Sequence, residues 1–282
     1  LAGYVEGISL VSRSALQERE QQIRGAALTA SISVFAAALL LYPLMSGLLG
    51  QTVALSSRLL ESNLSLLRSL GNAIAKRDAD TDAHNYRVTC YAVSLAEALG
   101  VGKATIAELV LGAFLHDVGK IGIPDQILLK PGRLTSEEFQ VMKTHAMLGI
   151  EIVAGNPWLA GAEKTIRHHH ERFDGKGYPD GLIGEAIPLA ARIFALVDVF
   201  DALTSVRPYK PAMSLEETLS IMEREDAQHF DPKIHAVFRQ VAPVLYAQGQ
   251  SRDHAQWSQE LKAMLERYFK MKTAPKGAAE FE

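Results

Sequence analysis

The chain has 282 residues, 48% of them apolar, and a formal net charge of −3. Acidic and basic residues nearly balance, which excludes the broad basic surface that a nucleic-acid polymer would demand. The single cysteine, Cys90, excludes an internal disulfide and fits a reducing compartment. Because the chain begins at Leu1 and not Met, a fragment or a processed product is expected.

Residues 1–24 read as the end of an extracytoplasmic or juxtamembrane region. From Gly25 to Ser57 no residue is charged. The apolar run 26–49, at about 1.5 Å per residue, is long enough to cross a hydrocarbon layer of about 30 Å. We therefore expect a transmembrane helix over 25–50, in which Pro43 and Gly47 are tolerable. Arg58, Arg68, Lys76, Arg77 and Arg87 follow it, against Arg13, Arg19 and Arg24 before it. That excess predicts a cytoplasmic C-terminal side, in a bacterial inner membrane.

Over 51–71 a linker helix is expected. Val53, Leu60, Leu67 and Ile74 recur every seven residues, with Ser57, Leu64 and Gly71 at the alternate position. The repeat suits either a short parallel coiled coil, hence a homodimer, or an amphipathic helix packed on its own domain.

The region 72–248 reads as almost all helix, with helical periodicity over 84–99, 104–118, 136–153, 189–204, 215–227 and 232–247. Thr135-Ser136-Glu137-Glu138 and Ser214-Leu215-Glu216-Glu217 are capping boxes, and Asp231-Pro232 is an N-cap with proline in the first turn. The Gly-rich segment 171–184 must be a loop. In the final part, 249–282, a helix places Trp257, Leu261, Met264, Leu265 and Tyr268 on one face, for packing on the domain or on a partner. A disordered tail follows from Lys272 to Glu282. The fold class expected is all-α, a compact helical bundle behind a membrane helix.

Six of the nine histidines fall between residues 84 and 170. Asp80 and His84 are four apart, so on a helix they share a face. His116 and Asp117 are adjacent, with Lys120 one turn later. His145 sits in the 136–149 helix, and His169 and His170 precede the Gly-rich loop. Asp198 lies in an otherwise apolar stretch, where a carboxylate needs a cation or strong hydrogen bonds. A lone histidine on a helix more often packs than binds metal, so the set carries the argument, not its members. It offers nitrogen and oxygen donors without thiolate, which suits iron or manganese better than structural zinc. Two such ions about 3.5–4 Å apart can activate water and offset charge in phosphoryl transfer. His168 is set aside, because three consecutive histidines need not be three ligands. Glu171, Asp174 and Asp201 are read as holding loops or supporting contacts. His229, His235 and His254 are read as ordinary surface or helix histidines.

The segment Leu115-His116-Asp117-Val118-Gly119-Lys120-Ile121-Gly122-Ile123-Pro124 resembles the signature of HD-domain hydrolases. His169-His170-Glu171-Arg172-Phe173-Asp174-Gly175-Lys176-Gly177-Tyr178-Pro179 resembles the second motif of the HD-GYP family, and the likeness continues through 198–205 and Arg207-Pro208-Tyr209-Lys210. It covers about 72–246. The resemblance implies hydrolysis of cyclic di-GMP to pGpG, with GMP from a second cut. It implies metal ligands at His84, His116, Asp117, His145, His169, His170 and Asp198, for two divalent ions, iron or manganese. It also implies that Asp117 and Lys120 serve catalysis, and that Lys120, Tyr178, Arg207 and Lys210 hold substrate. Family members with three metals carry glutamate four residues before the first histidine. Here Asp80 stands there, one methylene shorter, and a third ion depends on it. A silent cyclic di-GMP receptor would be expected to lack HD or HH residues, which are all present. The GYP loop argues against a general nucleotidase, and a hydrolase for another cyclic dinucleotide is the nearest rival.

Overall fold

The computed structural model describes residues 12–77, 82–206, 211–225 and 228–269. Among them every regular element is helical, and the only bridge between extended residues joins Asp174 and Ile183. The all-α expectation holds. The chain divides into two units at Arg58.

The first unit is the greater part of α1 (Arg13–Arg77). Leu28, Phe35, Leu40, Tyr42 and Leu49 all face outward, and Pro43 is carried inside the helix. This helix is long and apolar enough to span a membrane, and none of its apolar stretch is buried by protein.

The second unit begins within α1. Leu64, Leu67 and Ile74 are buried in the core of this unit. Of the two readings of the heptad repeat, packing on the chain's own domain is the one these residues take.

Around them lie α2 (Asp82–Ala98), α3 (Lys103–Leu115), α8 (Leu189–Thr204), α10 (Pro232–Ser251) and α11 (His254–Phe269). α2 is central and touches each of the other four. Tyr91 of α2 meets Phe200 of α8 edge-on at 5.9 Å and Trp257 of α11 at 5.6 Å. Each large apolar side chain removed from water here contributes about 1.5–3 kcal/mol. The expected apolar face of the last helix, Trp257, Leu261, Met264 and Leu265, is buried in this core. Arg267 and Tyr268 seal its edge by donating to Glu97.

Shorter elements complete the unit: α4 (Asp125–Leu128), α5 (Ser136–Lys143), α6 (His145–Val153), α7 (Glu163–His168) and α9 (Leu215–Arg224). Both capping boxes form, at Thr135 with Glu138 and at Ser214 with Glu217. Asp231 accepts from the amides of Lys233 and Ile234, as its N-cap position predicts.

Three expectations need correction. The single helix over 136–153 is two helices, broken at Thr144, so His145 opens α6 rather than sitting inside a helix. The helix expected to reach residue 118 ends at Leu115, and a 3-10 turn, Val118–Gly122, follows. For His235 the surface reading falls and the helix reading stands: it is 1% exposed, in the core face of α10.

Gly119 explains how the 3-10 turn reaches α6. A Cβ at this position would lie 1.8 Å from the carbonyl oxygen of His145. No larger residue could bring the His116-Asp117-Lys120 segment so close to His145.

Candidate metal centre

Five separate segments supply the site. His84 comes from α2, and His116 and Asp117 from the junction of α3 with the 3-10 turn. His145 opens α6, His169 and His170 follow α7, and Asp198 lies on α8. Their donor atoms gather in two groups. His84, His116 and Asp198 have ligand atoms within 4.8 Å of one another, and so do His145, His169 and His170. Asp117 stands between them. Its Oδ2 is 3.1 Å from His116 Nε2, and its Oδ1 is 3.5 Å from His145 Nε2.

The outward nitrogens are fixed by where the inward ones bond. His116 Nδ1 donates to Ala113 O, His145 Nδ1 to Met142 O and His169 Nδ1 to Ile166 O, each at 2.8 Å. All three carbonyls belong to the last turn of a helix, where a carbonyl keeps a lone pair for a side-chain donor; that of Met142 also takes the Thr144 amide. A carbonyl can only accept, so each Nδ1 carries a proton and Nε2 is the nitrogen turned toward the site. His84 follows the same rule with a different acceptor: its Nδ1 lies 2.7 Å from Asp201 Oδ2.

This leaves acceptors facing acceptors. His145 Nε2 and His169 Nε2 are 3.3 Å apart, and His84 Nε2 is 3.4 Å from Asp198 Oδ1. With their protons on Nδ1, His145 and His169 cannot hydrogen-bond to each other, and a shared cation would satisfy both. The donor set therefore fits divalent metal ions.

The electrostatics agree. Burial pushes His169 well below the ordinary histidine range, and its histidine neighbours push it further. His170 is brought down to about 3, by burial first and then by His145. His145 is lowered too, burial outweighing the pull of Asp117. These rings are neutral and ready to ligate. Burial would also raise Asp117, but Lys120, His116 and His145 outweigh it and hold the carboxyl well below its usual range. His116 goes the other way: burial lowers it, while the charge and hydrogen bond of Asp117 raise it more. A proton on its Nε2 occupies the place that a cation would take.

Residues 68–234 match the family model for the HD domain. The chain belongs to the HD-domain family, in its HD-GYP branch. It is 46% identical over 169 residues to a cyclic di-GMP phosphodiesterase response regulator of Xanthomonas campestris, covering 59% of this chain and 45% of that one. It is 44% identical over 185 residues to a cyclic di-GMP phosphodiesterase of Vibrio cholerae, covering 60% of this chain and 38% of that one. The chain thus spans less than half the length of these curated relatives. Among solved structures, a cyclic GMP-AMP specific phosphodiesterase of Vibrio cholerae shares the fold, with TM-score 0.55 and 21% identity over 71% of this chain and 53% of that one.

In the HD-domain frame, Lys120 sits at the rim with its Nζ 2.8 Å from Asp117 Oδ2. The GYP loop covers the His145 side. Tyr178 stacks on His170, ring centroids 4.7 Å apart, and the Tyr178–Pro179 peptide is cis. Glu171 is buried beneath the loop and accepts the amides of Asp180, Gly181 and Leu182. A Cβ on Gly177 would lie 2.3 Å from Arg172 N, so the loop folds back on its own stem only with glycine there.

His168 lies apart from the centre, against Glu171 and Asp180. This third group is no match for a cation: Glu171 already serves three amides, and Asp180 is paired with Arg167 through two hydrogen bonds. Asp174 pairs with Arg172 and holds the loop stem, as expected. Asp80, Arg207 and Lys210 lie outside the described residues.

Asp201 and Arg87 do more than their sequence context suggests. Asp201 is fully buried, takes His84 Nδ1 and is clamped by Nε and Nη2 of Arg87. Burial alone would raise its carboxyl, yet the Arg87 and His84 hydrogen bonds hold it below the ordinary range. A signal for this pairing exists in the sequence. Arg87 follows His84 by three on α2, and Asp201 follows Asp198 by three on α8, so the two pairs face each other one turn along.

Proposed function

We propose that this chain is a cyclic di-GMP phosphodiesterase, hydrolysing one phosphodiester bond to give linear pGpG, with GMP from a second cut. The observation that carries the reading is Asp117, a buried carboxylate set between two groups of nitrogen and oxygen donors. Two divalent ions, iron or manganese, would be held there. His84, His116 and Asp198 would take one, His145, His169 and His170 the other, and Asp117 both. Such ions, when bound, polarise water and the phosphoryl oxygens.

The chain's own residues supply the rest. Lys120, at the rim, is placed to offset phosphoryl charge and to pass a proton to the departing 3′ oxygen. Tyr178 walls the cleft and keeps His170 dry. Arg207 and Lys210 are assigned to the second phosphate and its guanine. The identities of the two curated relatives support this substrate over other nucleotides.

The helix over 25–50 anchors the chain in a bacterial inner membrane, with the HD domain on the cytoplasmic side. The excess of Arg and Lys after the span supports that orientation. A homodimer through the linker would pair along 51–63, because Leu64, Leu67 and Ile74 are buried in their own domain.

The test uses the full chain in detergent, loaded anaerobically with Mn²⁺ or Fe²⁺ and given cyclic di-GMP. Release of pGpG or GMP is expected, together with two metal ions per chain by elemental analysis, or three if Asp80 adds a site. Metal-loaded protein that yields neither product overturns the reading.

A further inference from the structure

Beside the metal centre, α5 presents two side chains that the proposed chemistry does not use. Phe139 meets Tyr178 edge-on, ring centroids 6.2 Å apart, and is 45% exposed. Lys143, at the C-terminal end of the same helix, holds its ammonium 5.2 Å from the Phe139 centroid and 5.6 Å from the Tyr178 centroid. Among the described residues no carboxylate lies within ion-pair distance of Lys143. Two ring faces attract this cation without consuming its N–H donors.

The three side chains therefore stand in sequence outward from a ligand: His170, then Tyr178 stacked on it, then Phe139 with Lys143 above both rings. A nucleotide whose phosphate sits at the metal centre carries its base one sugar away. The half-exposed phenylalanine is a large apolar surface two ring contacts from His170. An exposed aromatic ring is a face on which any base can stack.

We propose that Phe139, Lys143 and Tyr178 form a purine subsite in which Phe139 stacks on the base and Lys143 selects guanine. Guanine presents O6 and N7 as two adjacent acceptors, which an ammonium can serve together. Adenine puts an N6 amino donor in place of O6, and Lys143 has no acceptor to offer it. Phe139 thus supplies affinity for either purine, and Lys143 supplies the choice between them. This inference rests on the phosphodiesterase reading above.

The two roles separate in one experiment on the full, metal-loaded chain. The KM for cyclic di-GMP is measured, along with the competitive inhibition constant of cyclic di-AMP. Lys143→Met is expected to raise the first about tenfold, the effect of removing one good hydrogen-bonding partner of a base, while moving the second less than about twofold. Phe139→Ala is expected to raise both about tenfold, because stacking is indifferent to the base. If Lys143→Met moves both constants by the same factor, its role is structural and the proposal falls. It also falls if either variant moves neither constant. If the wild-type chain hydrolyses no cyclic di-GMP, the phosphodiesterase reading itself has failed, a result distinct from the other two.

Discussion

The two halves of the metal centre are built on different principles. Around His145, His169 and His170, the described acceptors of Nδ1 are backbone carbonyls at helix ends. That half is neutral, and burial keeps it so. Around His84, His116 and Asp198, a carboxylate is part of the donor set, and a second one, Asp201, stands behind His84 with Arg87 behind it. One half is held by the fold itself, so losing its orientation means unwinding a helix end. In the other, His116 also meets a helix-end carbonyl, but His84 is held by a chain of charged side chains, so single substitutions can loosen it. Asp117 is the only described carboxylate close to both.

Removing that common member has the largest effect. Asp117→Asn keeps the shape but deletes the charge facing both halves. We expect both ions to be lost, hydrolysis to fall below detection and the helical circular dichroism to persist. Elemental analysis after anaerobic purification checks it. A variant that retains two ions and turns over substrate would show that Asp117 does not join the halves.

Next comes a substitution that should strike one half only. Asp201→Asn removes the anionic acceptor of His84 Nδ1 and the partner of Arg87. Replacing such a supporting group typically costs about 10–100-fold in metal affinity. The loss should fall on one of two ions in a stepwise titration, leaving the other at its wild-type affinity. Equal weakening of both would erase the distinction between the halves.

Chelated protein sharpens the same contrast through pH. In the metal-free fold His170 titrates at about 3, and His145 and His169 are also depressed below 6.5. The unfolded chain then binds more protons than the native one below about pH 6.5, so stability falls as pH drops through that window toward 3. Above it the contribution is complete. Asp201, depressed below its ordinary carboxylate value, loses its own contribution only at lower pH still, as the medium falls through and below about 3.8. Urea midpoints of the chelated chain between pH 8 and pH 4 should decline, and metal loading should raise the midpoint at pH 8 and steepen the decline, because protons displace the ions from their ligands. A midpoint that rises on acidification would contradict the neutral state assigned to these rings.

The contrast also explains what is legible in the sequence and what is not. The residues that gather at the centre are legible because each belongs to a short, unusual residue string, and the capping boxes at Thr135 and Ser214 because cap chemistry is local. The break at Thr144 is not. Thr144 keeps a helical backbone, φ −67° and ψ −14°, and no glycine or proline marks it, so the apolar periodicity runs straight through. Only the tertiary fold shows that His145 opens a new helix there. The linker repeat is ambiguous for a different reason: a seven-residue period is the same whether the face meets a partner or its own domain. The role of Asp201 requires α2 and α8 to be placed face to face, which no single segment can reveal.

The smallest effect tests the cover over the His145 half. Glu171 is buried, and its two oxygens take three amides of the loop that carries Tyr178. Glu171→Gln replaces one acceptor oxygen with a donor, so at least one amide faces another N–H. A buried donor left unsatisfied costs about 1–3 kcal/mol, and the loop can escape that cost by opening. His145 and His169 are held by helix ends and not by this loop, so ion content should stay at the wild-type value. Tyr178, however, loses its seat on His170, and with it the wall of the cleft. The expected result is a KM raised severalfold with stoichiometric metal. Loss of an ion in this variant would mean that the loop, and not the helix ends, orients the histidines beneath it.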